Sequence, residues 1–139
     1  MALLQSTQSN NNYYPLILVV EDDKDNLMFM TNALSMFNYC YITAENAITG
    51  MSLAVKHCPS LILLDIKMPQ VSGFELLEML KQNLLTQKIP VVAVTALASK
   101  EQKKLMIAAG FNNYLIKPYM LEDLRQIILP YISSAPFNR

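Results

Sequence analysis

The sequence is poor in residues that small catalytic and metal-binding chains commonly rely on. Glycine occurs only at Gly50, Gly73 and Gly110, so no glycine-rich loop can cradle a nucleotide, and no P-loop pattern is present. The solitary His57, at an expected helix end, reads as a surface or dipole-satisfying residue rather than a ligand. Cys40 and Cys58 stand apart, without the close pairing of zinc sites or redox dithiols. They read as two small buried hydrophobes of a cytoplasmic chain. Eleven basic residues balance eleven acidic ones, so neither direct DNA binding nor attraction to an anionic membrane is expected. No apolar run approaches the ~18 residues that argue a membrane span, so no membrane insertion is expected. The start, "MALLQSTQSNNNYY", lacks the basic and apolar regions of a signal peptide. Residues 1–13 read instead as a flexible polar tail, with a short tail at 133–139.

What is abundant is apolar surface. Hydrophobic residues make up 53% of the chain and mean hydropathy is +0.24. That surplus must enter a core or an interface, and 139 residues suit one domain, expected over 14–132. From Pro15 onward, strand-like and helix-like segments alternate five times. "LILVV" (16–20), "YCYITA" (39–44), "LILLD" (61–65), "VVAVT" (91–95) and "YLI" (114–116) read as strands. Between them lie helical patterns. The first places Leu27, Met30, Leu34 and Phe37 at helical spacing, with Asp25 as the expected N-cap. Helices follow over 46–57, 73–82 and 99–110, the last stopped by Gly110. A final stripe of Leu121, Leu124, Ile128 and Tyr131 carries Pro130, which should weaken its last turn. Five βα units imply a doubly wound α/β domain with a parallel sheet and right-handed crossovers.

In such sheets, ligands bind beyond the carboxyl ends of the strands. The residues just after the apolar runs are Glu21, Asp22 and Asp23; Asp65; Thr95; and Lys117. Carboxylates gathered at one rim repel unless a cation intervenes, and hard oxygen ligands with room for water suit Mg²⁺. Asp22 and Asp65 are the expected direct ligands, with a backbone carbonyl near Lys67 as a third. A site of this kind can hold phosphate oxygens. Lys117 and the Thr95 hydroxyl would take others and stabilise developing charge, and Asp65 can accept an acyl phosphate. Alone, "EDD" is a solvated turn, Lys-Pro a loop and a terminal Thr a cap. Four such signals at consecutive strand ends make coincidence a poor explanation.

These segments resemble a known family. "ILVVEDDKDN", "LILLDIKMPQVSGFEL", "IPVVAVTA" and "AGFNNYLIKP" are similar to the motifs of the receiver domain of two-component response regulators, over roughly residues 14 to 132. The resemblance implies a flavodoxin-like (βα)5 fold with strand order 2-1-3-4-5, the order for which the chemotaxis member of the family is a standard example. It implies Asp65 as phosphoacceptor from a phosphohistidine of a sensor histidine kinase or histidine phosphotransfer protein. Asp22 becomes a direct Mg²⁺ ligand, Glu21 one through water, and Lys67 a ligand by its backbone carbonyl. Thr95 and Lys117 contact the phosphoryl group, Ala96 leaves room for it, and Tyr114 is the aromatic switch partner of Thr95. Gly73 and Met68-Pro69 shape the loop after the third strand. Asp23 is assigned to the loop surface, and Asn26 to the rim of the acidic cluster.

Two positions that the family uses to tune phosphate loss hold Lys67 and Leu97, neither of which can orient an attacking water as a carboxylate or amide does. Slow self-dephosphorylation is the expectation. Phe29 and Met36 lie off the core stripe of the first helix, where family partners dock. On the fourth helix Ile107 shares a face with Lys100, Lys103 and Lys104, opposite Leu105 and Ala109. The resemblance places a downstream target on the fourth helix, fifth strand and fifth helix. The expected protein is a stand-alone receiver that accepts phosphate and does not act as an ATP-dependent kinase or other enzyme. The alternatives are a phosphorylation-independent interaction module of the same fold or a relay intermediate.

Overall fold

The computed structural model describes residues 14–132; the two expected tails lie outside the described residues. Within it, β1 (Leu16–Val20), β2 (Cys40–Ala44), β3 (Leu61–Asp65), β4 (Val91–Thr95) and β5 (Asn113–Ile116) alternate with five helices. These are α1 (Lys24–Met36), α2 (Ala47–His57), α3 (Gly73–Lys81), α4 (Lys100–Ala109) and α5 (Leu121–Ile132). All strand pairs are parallel, in the order β2-β1-β3-β4-β5. The reversal of strand order at β1 and β3 opens a crevice at the carboxyl ends of those strands.

Strands β1, β3 and β4 are buried on both faces, β2 and β5 at the edges are partly so, and the side chains divide by the period of two. Leu16, Leu18, Val20, Ile62, Leu64, Val91 and Ala93 pack with Ala54, Leu76, Leu77, Leu80 and Met106 beneath α2, α3 and α4. Ile17, Val19, Leu61, Leu63, Val92, Val94 and Leu115 pack with Met30, Leu34, Leu124 and Ile128 beneath α1 and α5. Continuous apolar runs are therefore what this sheet requires, since each alternate residue serves a different core.

Helix boundaries follow local chemistry. Ser72 and Ser99 form capping boxes with Glu75 and Gln102, and Gly110 ends α4 with φ +112°. The cap of α1 is Asp23, not Asp25: the Asp23 side chain accepts from Asn26 N at 2.9 Å, which places Asp25 in the first turn. Both acids precede the apolar stripe, and only the backbone decides between them. Pro130 does not end α5, which continues to Ile132. On α4, Leu105 is as exposed as Ile107, because the only buried position is Met106. The cysteines also differ from expectation. Cys40 is half-buried on the edge strand β2, and Cys58 is exposed, ending α2 at φ 43°.

The β3–α3 loop folds back on the end of β3. Ile66 O accepts from both Met68 N and Gly73 N, and a Cβ on Gly73 would stand 2.6 Å from Ile66 Cα and 2.7 Å from Asp65 O. Both neighbours are backbone, so neither can yield by a rotamer change. Gly73→Ala is expected to destabilise the domain by about 1–3 kcal/mol, the usual scale of overpacking, seen as a lower urea midpoint; an unchanged midpoint would show that the loop is not held by this contact.

Candidate functional site

The two-residue period continues past the strand ends, because Glu21 N still donates to Ala44 O and Lys117 N to Thr95 O. Glu21 follows Ile17 and Val19, Asp65 follows Leu61 and Leu63, and Lys117 follows Leu115. All three therefore emerge on the α1/α5 face. Lys117 leaves β5 and must cross the end of β4 to reach Asp65 on β3, and the residue of matching parity just past β4 is the small Ala96. The Lys117 Nζ lies 3.1 Å from Glu21 Oε1 and 3.5 Å from Asp65 Oδ1.

Glu21 and Asp65 are each 5% exposed, and Thr95 is 1% exposed. Burial pushes the Asp65 carboxyl up to about 7, and the neighbouring Glu21 charge pushes in the same direction. Lys117 and the Lys67 main-chain N–H oppose that rise. Burial also works against the Lys117 charge, but the Glu21 hydrogen bond and the two carboxylates outweigh it and raise its pKa. Carboxylate oxygens of Glu21, Asp22 and Asp65 lie within 4.8 Å of one another, a group that can hold a metal ion. Oxygen-only donors with two nearly buried members suit a hard divalent cation such as Mg²⁺.

Asp65, Asp22, Glu21, Thr95 and Lys117 line one cavity of about 280 Å³, together with Lys67, Ala96 and Leu97. Asp23 and Asn26 border it too. Asp23 is thus no idle surface acid: it caps α1, and its N–H donates to Glu21 Oε2 at 3.2 Å. The Thr95 hydroxyl accepts from Leu97 N at 3.0 Å, and the Lys67 side chain is exposed. Tyr114 is not among the cavity residues. It stands half-buried on β5 with Lys103 Nζ 5.9 Å from its ring centroid. Phe29, Met36 and Ile107 are exposed, and Phe29 borders a neighbouring cleft.

A family model, "Response regulator receiver domain", matches residues 17–129. The chain belongs to the response regulator receiver family. The receiver is 33% identical over 119 residues to the polar-differentiation response regulator DivK of Brucella anthropi, spanning 86% of this chain and 97% of that one. It is similar to a CheY-like receiver domain protein from Methanospirillum hungatei at 29% identity and TM-score 0.79, over 89% and 98% of the chains. A receiver domain of the sensor histidine kinase PA1611 from Pseudomonas aeruginosa, solved with magnesium in its active-site cleft, matches at 25% identity and TM-score 0.80, over 87% and 99%. The receiver fold and strand order expected from sequence are those observed. Among the described residues, no helix is long and apolar enough to cross a membrane.

One residue beside the receiver site escaped the sequence reading. Tyr119 packs its ring edge-on against Phe29, with centroids 5.5 Å apart, and its hydroxyl donates to Met30 Sδ at 3.6 Å. Burial and the Glu21 charge push its phenol up to about 12. Nothing in "KPYM" announces this, because the partners lie about ninety positions earlier.

The Asp65 shift fixes a pH dependence for the metal-free receiver. An unfolded aspartate titrates near ~3.9 and the folded one near 7, so between these values the native state holds the extra proton. Stability therefore falls as pH rises through that window, and the full penalty remains above it. In chelator, Asp65→Asn is expected to stabilise the receiver at pH 8 by about 1 kcal/mol or more. The gain should vanish near pH 4, as read by urea unfolding; an equal difference at both pH values would contradict the assignment.

Proposed function

We propose that this receiver accepts a phosphoryl group on Asp65 from a phosphohistidine of a histidine kinase or histidine phosphotransfer protein. The observation that carries the reading is the placement of one buried carboxyl beside an ammonium and two further carboxylates. An Asp65 Oδ forms the new P–O bond while the donor P–N bond breaks and the imidazole leaves with its electron pair. The product is an acyl phosphate, and the donor nitrogen ends protonated or free according to pH. Lys117 exchanges part of its contact with Glu21 and Asp65 for a phosphoryl oxygen. Thr95 accepts from Leu97 N through its oxygen and keeps its proton to donate to another phosphoryl oxygen.

Asp22 and Asp65, with the Lys67 backbone carbonyl and Glu21 through water, would hold Mg²⁺. When bound, that ion offsets the negative charge collected on the carboxylates and the phosphoryl group. Reorientation of Thr95 toward the phosphoryl group opens room into which Tyr114 turns, and the α4–β5–α5 face with exposed Ile107 then changes shape for a downstream target. Phe29 and Met36 on α1 serve the phosphodonor. On this reading the chain is a cytoplasmic signalling protein, not an enzyme acting on other substrates.

Incubation with acetyl phosphate and Mg²⁺ is expected to add one base-labile phosphoryl mass that maps to Asp65 and is absent from Asp65→Asn. No gain would leave a phosphorylation-independent interaction module as the function, and a gain that persists in the variant would overturn Asp65 as the acceptor. The site also predicts a long-lived product. The exposed Lys67 side chain and Leu97 offer no group to orient water, so Lys67→Asn should shorten the lifetime of phospho-Asp65 by about tenfold, less than the ~10² or more of a full general base. Equal lifetimes in the two proteins would remove Lys67 as the cause.

A further inference from the structure

The ammonium of the site is carried by a four-residue connection, Lys117 to Met120, between β5 and α5. Upstream it is fixed by the Lys117 N–H, which donates to Thr95 O at 2.8 Å. Downstream, Met120 N donates to Asp123 Oδ2 at 3.0 Å, where α5 begins. Between these anchors lie exposed Pro118 and half-buried Tyr119, and Tyr119 reaches α1 through both Phe29 and Met30. The helix it touches starts from the turn that carries Glu21, Asp22 and Asp23. Tyr119 therefore ties together the two strand-end loops that supply the opposite charges of the site.

On its outer side Lys117 borders a second open space. A cleft of about 590 Å³, walled by Phe29, Pro118 and Tyr119, opens beside the carboxylate cavity, and Lys117, Ala96 and Asn26 border both. The lysine stem thus forms part of the partition between two open spaces. Its direction depends on its backbone, and its backbone depends on the loop anchors.

We infer that Tyr119 is a positioning residue for Lys117: by clamping the β5–α5 loop onto α1 it aims the ammonium across Ala96 at Asp65. The inference rests on the phosphoacceptor reading above. A purely structural aromatic would lower stability when removed and leave the rate of the folded protein alone. A positioning residue changes the rate through Lys117 only, since a small misplacement of a charge-stabilising group is enough to slow transfer.

The test is the rate of Asp65 phosphorylation by saturating acetyl phosphate and Mg²⁺, measured on the full chain. Tyr119→Ala should slow it by about tenfold, while Tyr119→Phe, which keeps the ring against Phe29, should stay within about twofold. Tyr119→Leu keeps apolar bulk without the ring and should behave like Tyr119→Ala, which covers the case in which the alanine variant does not fold. In a Lys117→Ala background the same Tyr119 substitutions should cost less than about twofold, because coupled sites are not additive. Mg²⁺ affinity, titrated calorimetrically, should change by less than about twofold. A wild-type rate in Tyr119→Leu, or the same fold loss with and without Lys117, would overturn the inference while leaving Asp65 as acceptor. Failure of the unsubstituted protein to accept phosphate would overturn the functional reading itself and this inference with it.

Discussion

Two carboxylates stand almost fully buried at the ends of neighbouring strands, and a single ammonium between them makes that arrangement tenable. Removing an ion from water costs several kcal/mol even after relaxation, and Glu21 and Asp65 repel each other besides. Lys117 answers both at once, at 3.1 Å and 3.5 Å. The balance is incomplete, since Asp65 still titrates near 7. A residue held in that state is stabilised by an added cation or by protonation, and so the site is tense in the chemical sense before any ligand arrives.

The rest of the fold can be read as what this triad requires. The ammonium must pass over the end of β4, so the matching residue just beyond that strand is small, Ala96. The carboxylates must share a face, so Glu21, Asp65 and Lys117 continue the parity of Ile17, Leu61 and Leu115. Asp65 must not drift with its loop, so the chain returns at Gly73 close enough to touch the Asp65 carbonyl, where any Cβ would collide. The apolar strands on either side supply a rigid mount whose register leaves little freedom to the charged tips.

Much of this was legible in the sequence because it depends on local periodicity. Continuous apolar runs marked the strands, the Gly110 stop marked the end of α4, and the strand-end residues marked the site. Strand order was not legible that way, since alternation is compatible with several orders, and it came from resemblance. The errors share a cause. Asp23 and Asp25 are equivalent as a pattern, and only backbone φ and ψ choose the cap. Leu105, opposite Ile107 by helical spacing, is exposed as well, because α4 buries only Met106. Cys58 looked buried because its type usually is, but a left-handed residue at a helix end is held at the surface. Tyr119 was invisible because its meaning lies in partners on α1.

The acids "EDD" show how three consecutive carboxylates can coexist in one turn. Burial falls along the run, from Glu21 through half-exposed Asp22 to exposed Asp23, and each position meets a different source of positive potential. Glu21 takes the Lys117 ammonium and the Asp23 N–H. Asp23 takes the N-terminus of α1, where an acceptor for an otherwise unpaired backbone N–H is favoured. Among the described residues, Asp22 has no such cationic or hydrogen-bonding partner, although its carboxylate lies within 4.8 Å of those of Glu21 and Asp65. The turn thus satisfies two of its acids internally and leaves the middle one facing the cavity. That leftover charge, on an exposed edge of a cluster with two buried members, is where an incoming divalent cation gains most and displaces least.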